Sequence, residues 1–135
     1  MLFRSASFSY ALGGNFYGRT GAIINVLSNG IVDILNDTTG TAFYTDVGPI
    51  PVINVNNLGL LRKSGGAGLT AIQFSVNNAG TVAANSGTLS LEGGGTSGGS
   101  FTAADTASLQ FNGGIHTIHA YKHIVNTQVE GEIIL

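Results

Sequence analysis

Asn56-Asn57-Leu58-Gly59-Leu60-Leu61 recurs as Asn77-Asn78-Ala79-Gly80-Thr81-Val82, 21 residues further on (77 − 56 = 21). A unit this short cannot bury its own apolar face, so stacked neighbours must bury it. Each unit reads as strand, Asn/Gly bend, strand. Asn and Gly accept the backbone conformations that a tight bend needs. The pattern predicts a β-solenoid, a chain wound in coils that lie on one another.

The repetition runs in both directions from this pair. Ser86-Gly87-Thr88-Leu89-Ser90-Leu91 matches Thr106-Ala107-Ser108-Leu109-Gln110-Phe111, and Gly80-Thr81-Val82 matches Gly99-Ser100-Phe101. Upstream, Ser28-Asn29-Gly30-Ile31-Val32 matches Asn57-Leu58-Gly59-Leu60-Leu61. The period therefore varies between roughly 19 and 30 residues, as it does when bends change length while strands keep register. Residues 1–20, rich in aromatics and glycine, read as an N-terminal end piece or first coil, and 21–135 as the solenoid.

Composition agrees with this architecture. Charged residues make up 9% of the 135, against about 25% in an average globular chain. The 43% hydrophobic content excludes a disordered polar tract. The 21 glycines suit many tight turns. A net charge of −2 without a basic patch argues against a nucleic-acid partner. The chain has no cysteine, which removes disulfides and thiolate chemistry without fixing a compartment. No run of 18 apolar residues is present, so no membrane-spanning helix is expected. Met1-Leu2-Phe3-Arg4-Ser5 is not followed by the long apolar stretch of a signal peptide.

Alternation sets the expected inward face. Ile53 and Val55 oppose Asn54, and Ile72, Phe74 and Val76 alternate with Gln73 and Ser75 in one strand, 71–76. Overlaying the repeats stacks Val55 on Val76, Val82 on Phe101, Leu89 on Leu109 and Leu91 on Phe111. The inward Leu91 should reject a charge and the outward Ser90 should accept one. An amide ladder is expected, with Asn77 above Asn56. The stretch 36–51 carries both prolines and reads as a protruding loop, and Glu92 to Gly99 reads as a flexible turn.

The segments Asn77-Asn78-Ala79-Gly80-Thr81-Val82, Ser86 to Leu91, Gly93-Gly94-Gly95-Thr96, Gly99-Ser100-Phe101-Thr102, and Gly113-Gly114-Ile115-His116-Thr117-Ile118 resemble the repeats of large bacterial secreted and surface proteins of the autotransporter and adhesin passenger type. The resemblance covers about residues 21–118, and the tail His119 to Leu135 departs from it. It implies an all-β, right-handed parallel β-helix with an extracellular or cell-surface location.

Chemistry is harder to find. His116, His119 and His123 would share one face of a helix, but Ile115-His116-Thr117-Ile118 reads as strand. There His116 and His119 point to opposite sides and cannot converge on a metal. The acids are Asp33, Asp37, Asp46, Glu92, Asp105, Glu130 and Glu132. Asp33, Asp37 and Asp46 are the group that could share a neighbourhood, as a carboxylate pair for glycoside chemistry would require. The motifs of pectin-degrading hydrolases, another class of parallel β-helix, are absent. Gly66-Ala67-Gly68-Leu69-Thr70-Ala71 resembles a loose dinucleotide fingerprint, but no helix follows to hold a pyrophosphate. Tyr10, Phe16, Tyr17, Phe43 and Tyr44 read as end-cap packing, with a sugar-stacking platform as the other reading. Ice binding would need a regular Thr ladder, which Thr39, Thr41, Thr81, Thr88 and Thr102 do not form.

These observations predict a non-catalytic structural or interaction module, not an enzyme, with no catalytic, cofactor-binding or metal-binding residues. The alternative is a carbohydrate-binding or polysaccharide-degrading β-helix. Expected partners are neighbouring solenoid coils, a second copy stacked end to end on the apolar Glu132-Ile133-Ile134-Leu135, or a glycan.

Overall fold

The computed structural model describes residues 2–3, 7–10, 16–19, 21–35, 37, 41–45, 48–119, 124–125, 127–129 and 132–134. No helix occurs among them, and none is therefore long and apolar enough to cross a membrane. The strands are β1 (Leu2–Phe3), β2 (Ser7–Tyr10), β3 (Phe16–Gly18), β4 (Ile23–Val26), β5 (Ile31–Ile34), β6 (Thr41–Thr45), β7 (Val52–Val55), β8 (Leu60–Lys63), β9 (Leu69–Ile72), β10 (Ser75–Asn78), β11 (Thr81–Ala84), β12 (Thr88–Leu91), β13 (Gly95–Ser97), β14 (Ser100–Ala103), β15 (Ser108–Phe111), β16 (Ile115–Ile118), β17 (Ile124–Val125), β18 (Thr127–Val129) and β19 (Glu132–Ile134).

Every strand pairs in parallel with the strand three places along the chain. The result is three sheets, β1-β4-β7-β10-β13-β16-β19, β17-β14-β11-β8-β5-β2 and β18-β15-β12-β9-β6-β3. Each coil thus gives one strand to each wall of a three-sided β-solenoid. The tail beyond His119 continues the coil through β17, β18 and β19, although its sequence departs from the repeat.

The walls enclose a single core. Val32, Leu61, Val82 and Phe101 form one inward row, and Leu89 and Leu109 another. Ile72, Leu91 and Phe111 form a third. Each fully buried member contributes about 1.5–3 kcal/mol. Phe43 meets Phe74 edge-on at 5.4 Å, and Phe101 meets Phe111 at 5.0 Å, the geometry that aromatic quadrupoles favour.

The expected overlay holds for Val82 on Phe101, Leu89 on Leu109 and Leu91 on Phe111. It fails for Val55, which pairs with Asn78, while Val76 pairs with Ile53. The reason is a change of bend. Between β7 and β8 four residues turn the chain, Asn56 to Gly59; between β10 and β11 Ala79 and Gly80 suffice. Asn78 takes over the inward position at the shorter bend. It is buried, donates from Nδ2 to Ser100 O at 2.9 Å and accepts from Gly80 N at 3.0 Å.

Three further expectations change. The 71–76 strand is two strands, β9 and β10, with a corner at Gln73 and Phe74. The 36–51 stretch is not one loop, because Thr41–Thr45 joins the third sheet and Phe43 is buried; its β-branched and aromatic content outweighs the turn residues around it. Within the expected flexible turn, Gly95–Ser97 forms β13 between β10 and β16. A side chain at Gly95 would meet Val76 O at 2.1 Å, so only glycine lets the coils close there.

The bends of neighbouring coils also stack. Asn29 N donates to Leu58 O at 3.0 Å, and both residues are left-handed, with φ of 64° and 65°. Asn tolerates this conformation and Leu does not. Leu58 is exposed, so its side chain offers little packing in return. We expect Leu58→Asn to stabilise the fold by about 1 kcal/mol. A urea midpoint that falls on substitution would contradict this.

Candidate functional site

Some polar side chains are engaged between coils, some line open troughs, and Asn54 and Asn77 do both. On the outer face of the first sheet, Asn25, Asn54 and Asn77 stand in register. Asn54 Nδ2 donates to Asn25 Oδ1 at 2.9 Å, and Asn77 Nδ2 donates to Asn54 Oδ1 at 3.1 Å. The backbone N of Thr96 closes the row on Asn77 Oδ1 at 3.0 Å. An amide ladder is therefore present, but it runs through Asn54 rather than Asn56, because Asn56 lies in the longer bend.

Of the acids expected to gather, Asp33 and Asp37 are ion-paired, each with its own cation. Asp33 is buried and accepts from Arg62 Nε and Nη2 at 2.8 and 2.6 Å and from Ser64 Oγ at 2.6 Å. The Asp33 carboxylate raises the Arg62 pKa above its ordinary value. Asp37 accepts from Lys63 Nζ at 2.9 Å, and that bond, followed by the Gly68 backbone N–H, lowers its pKa. Asp46, Glu130 and His123 lie outside the described residues, as do the side chains of Glu132, Tyr10, Phe16 and Tyr44. Asp105 and His119 are exposed. Phe43 belongs to the core and Tyr17 is exposed, so these two do not form a shared platform.

Lys63 is the residue that sequence reasoning missed. It occupies an inward position between Ile34 and Ala84 and is fully buried. Its ammonium donates to Asp37 Oδ1 at 2.9 Å, to Gly66 O at 2.9 Å and to Gly65 O. All three of its hydrogens are used. The signal was present as a charge in the inward register of Leu61, but a terminal strand position reads equally as exposed.

His116 points inward on β16, is 3% exposed and packs edge-on against Phe111 at 5.0 Å. A ring nitrogen, Nε2, lies 3.0 Å from Gly113 O. Burial lowers its pKa below 6.5, so the folded state resists protonation that the unfolded chain accepts. Stability is complete above the unfolded value near 6.5 and falls as pH drops below it. Urea unfolding at pH 7.5 and pH 5 should show this loss, and His116→Phe should remove it. No group of three or more His, Cys, Asp or Glu among the described residues could hold a metal ion.

Ser90 is a further correction. It stands on the outer row between Ala71 and Gln110, yet it is fully buried, and its hydroxyl donates to Glu92 Oε1 at 3.3 Å. Water does not reach it, so an aspartate there is not neutral.

Two open troughs cross the coils. One, of about 240 Å³, runs beside the amide ladder and includes Asn54, Asn77 and Thr96. The other, of about 530 Å³, follows the corner between the third and first sheets and is lined by Ile50, Gln73, Glu92, Asn112 and glycines. No family model, no curated protein and no solved structure matches this chain.

Proposed function

We propose that this chain is a non-catalytic structural and interaction module of an extracellular, bacterial surface protein of the adhesin type. The observation that carries the reading is where the reactive-looking groups are used. Asn25, Asn54, Asn77, Asp33, Arg62 and Lys63 are bonded across successive coils, so they hold the stack together. The side chains of Gln73, Glu92 and Asn112 line instead a shallow trough spanning three coils, a layout suited to contact with an extended partner. The Asn-, Gly- and Thr-rich repeats, similar to those of surface β-helices, support the cellular setting.

The test is to pass the purified chain over immobilised polysaccharides and extracellular-matrix proteins while assaying the eluate for new sugar ends. Retention without product release is the expected result. Release of product that disappears in Asp33→Asn or Glu92→Gln would overturn the reading, and so would retention on none of the surfaces.

A further inference from the structure

We infer that the larger trough binds a neutral, extended glycan lying along the solenoid axis, with successive sugar rings on successive coils. The inference rests on the interaction role proposed above and names its ligand class.

Register builds the site. Ile72, Leu91 and Phe111 are paired across three neighbouring strands, so the residues that follow them, Gln73, Glu92 and Asn112, form a row at the corner. Glu92 N donates to Ile72 O and Asn112 N to Leu91 O, both at 2.8 Å, which fixes the spacing of the row. Neighbouring coils are about 4.8 Å apart, close to the length of one pyranose ring. The trough repeats its polar heads at the interval at which a sugar chain repeats its hydroxyls.

Chemistry narrows the class. The Gln73 and Asn112 amides make no side-chain hydrogen bond to any described residue, unlike the ladder asparagines, which are bonded to one another. Each primary amide both donates and accepts, as a sugar hydroxyl does. Ser90 holds Glu92 through Oε1, presenting a planar acceptor between the two amides. Ile50, 51% exposed, supplies an apolar edge for the C–H face of a ring. Among the described residues that line the trough the lone ionised group is the Glu92 carboxylate, which repels a polyuronate and leaves a neutral chain as the fitting ligand.

The experiment titrates the intact, isotope-labelled chain with neutral hexose and N-acetylhexosamine oligomers of one to six rings, with an oligouronate as comparison. Side-chain amide signals and affinities are read together. The expected result is perturbation of the Gln73 and Asn112 amides, with affinity rising to about three rings and then levelling, because three coils form the row. Gln73→Ala and Asn112→Ala should each weaken binding about tenfold, the loss of one or two hydrogen bonds, while Thr102→Ala on another wall leaves it unchanged. Absence of binding by neutral oligomers, perturbation centred on Asn54 and Asn77, or stronger binding of the oligouronate would overturn the inference. Cleavage of the oligomers would instead overturn the non-catalytic reading, so the two failures are distinguishable.

Discussion

Leu89→Asp is expected to leave the chain unfolded at room temperature. Leu89 is fully buried and stacks between Thr70 and Leu109, with no cation beside it in either paired strand. The substitution removes an apolar side chain and puts a carboxylate where neither water nor a cation reaches it. The lost apolar side chain costs about 2–5 kcal/mol and the unpaired buried charge about 3–5 kcal/mol more, together comparable to the total stability of about 5–15 kcal/mol for a domain of this kind. Circular dichroism should show loss of the β signature, and Leu89→Ala should remain folded at about 2–5 kcal/mol lower stability. A folded Leu89→Asp with an unchanged urea midpoint would mean the inward row is assigned to the wrong face.

Lys63→Ala should be the next most damaging change. It empties a core position between Ile34 and Ala84 and strips the Gly65 and Gly66 carbonyls and Asp37 of their shared donor. Truncating a long buried side chain leaves a cavity that costs about 2–5 kcal/mol, while the Asp37 carboxylate, which is exposed, is left to water. Lys63→Met separates the contributions, because it keeps the apolar stem and removes only the ammonium. It should fall between the wild type and Lys63→Ala in chemical denaturation. Equal stability of Lys63→Met and the wild type would show that the ammonium contributes nothing net.

The architecture was readable because two signals agreed. Alternation named the inward residues, and an offset that changes only from 19 to 20 along 80–111 named their partners, so Val82 on Phe101 and Leu89 on Leu109 followed directly. Where the bend length changes, the same reasoning fails. Asn56-Asn57 and Asn77-Asn78 look alike in sequence, but the first pair lies in a four-residue bend and the second ends a strand. The overlay of Val55 on Val76 and the choice of Asn56 for the ladder both fell to that two-residue difference. β13 was not readable because Gly95-Thr96-Ser97 has little strand preference of its own; its neighbours on both sides impose the pairing. Ser90 was misread because outward does not mean exposed when Gln110 stands on the adjoining coil. The polar trough was hidden for a related reason. Gln73, Glu92 and Asn112 are ordinary residues at three bends, and become a row only once the register is known.

The amide ladder has a direction. Asn54 and Asn77 donate toward the preceding coil, and all three asparagines accept from the following one. The amide dipoles therefore point head to tail, as peptide dipoles do along a helix, and each polarises the next. One wall of the solenoid carries a positive pole at the Asn25 end and a negative pole toward Thr96. An acidic group just before Asn25 would be drawn to that pole, and the same group beside Thr96 would not. The coil thus distinguishes its two ends electrically, even where its strands look alike.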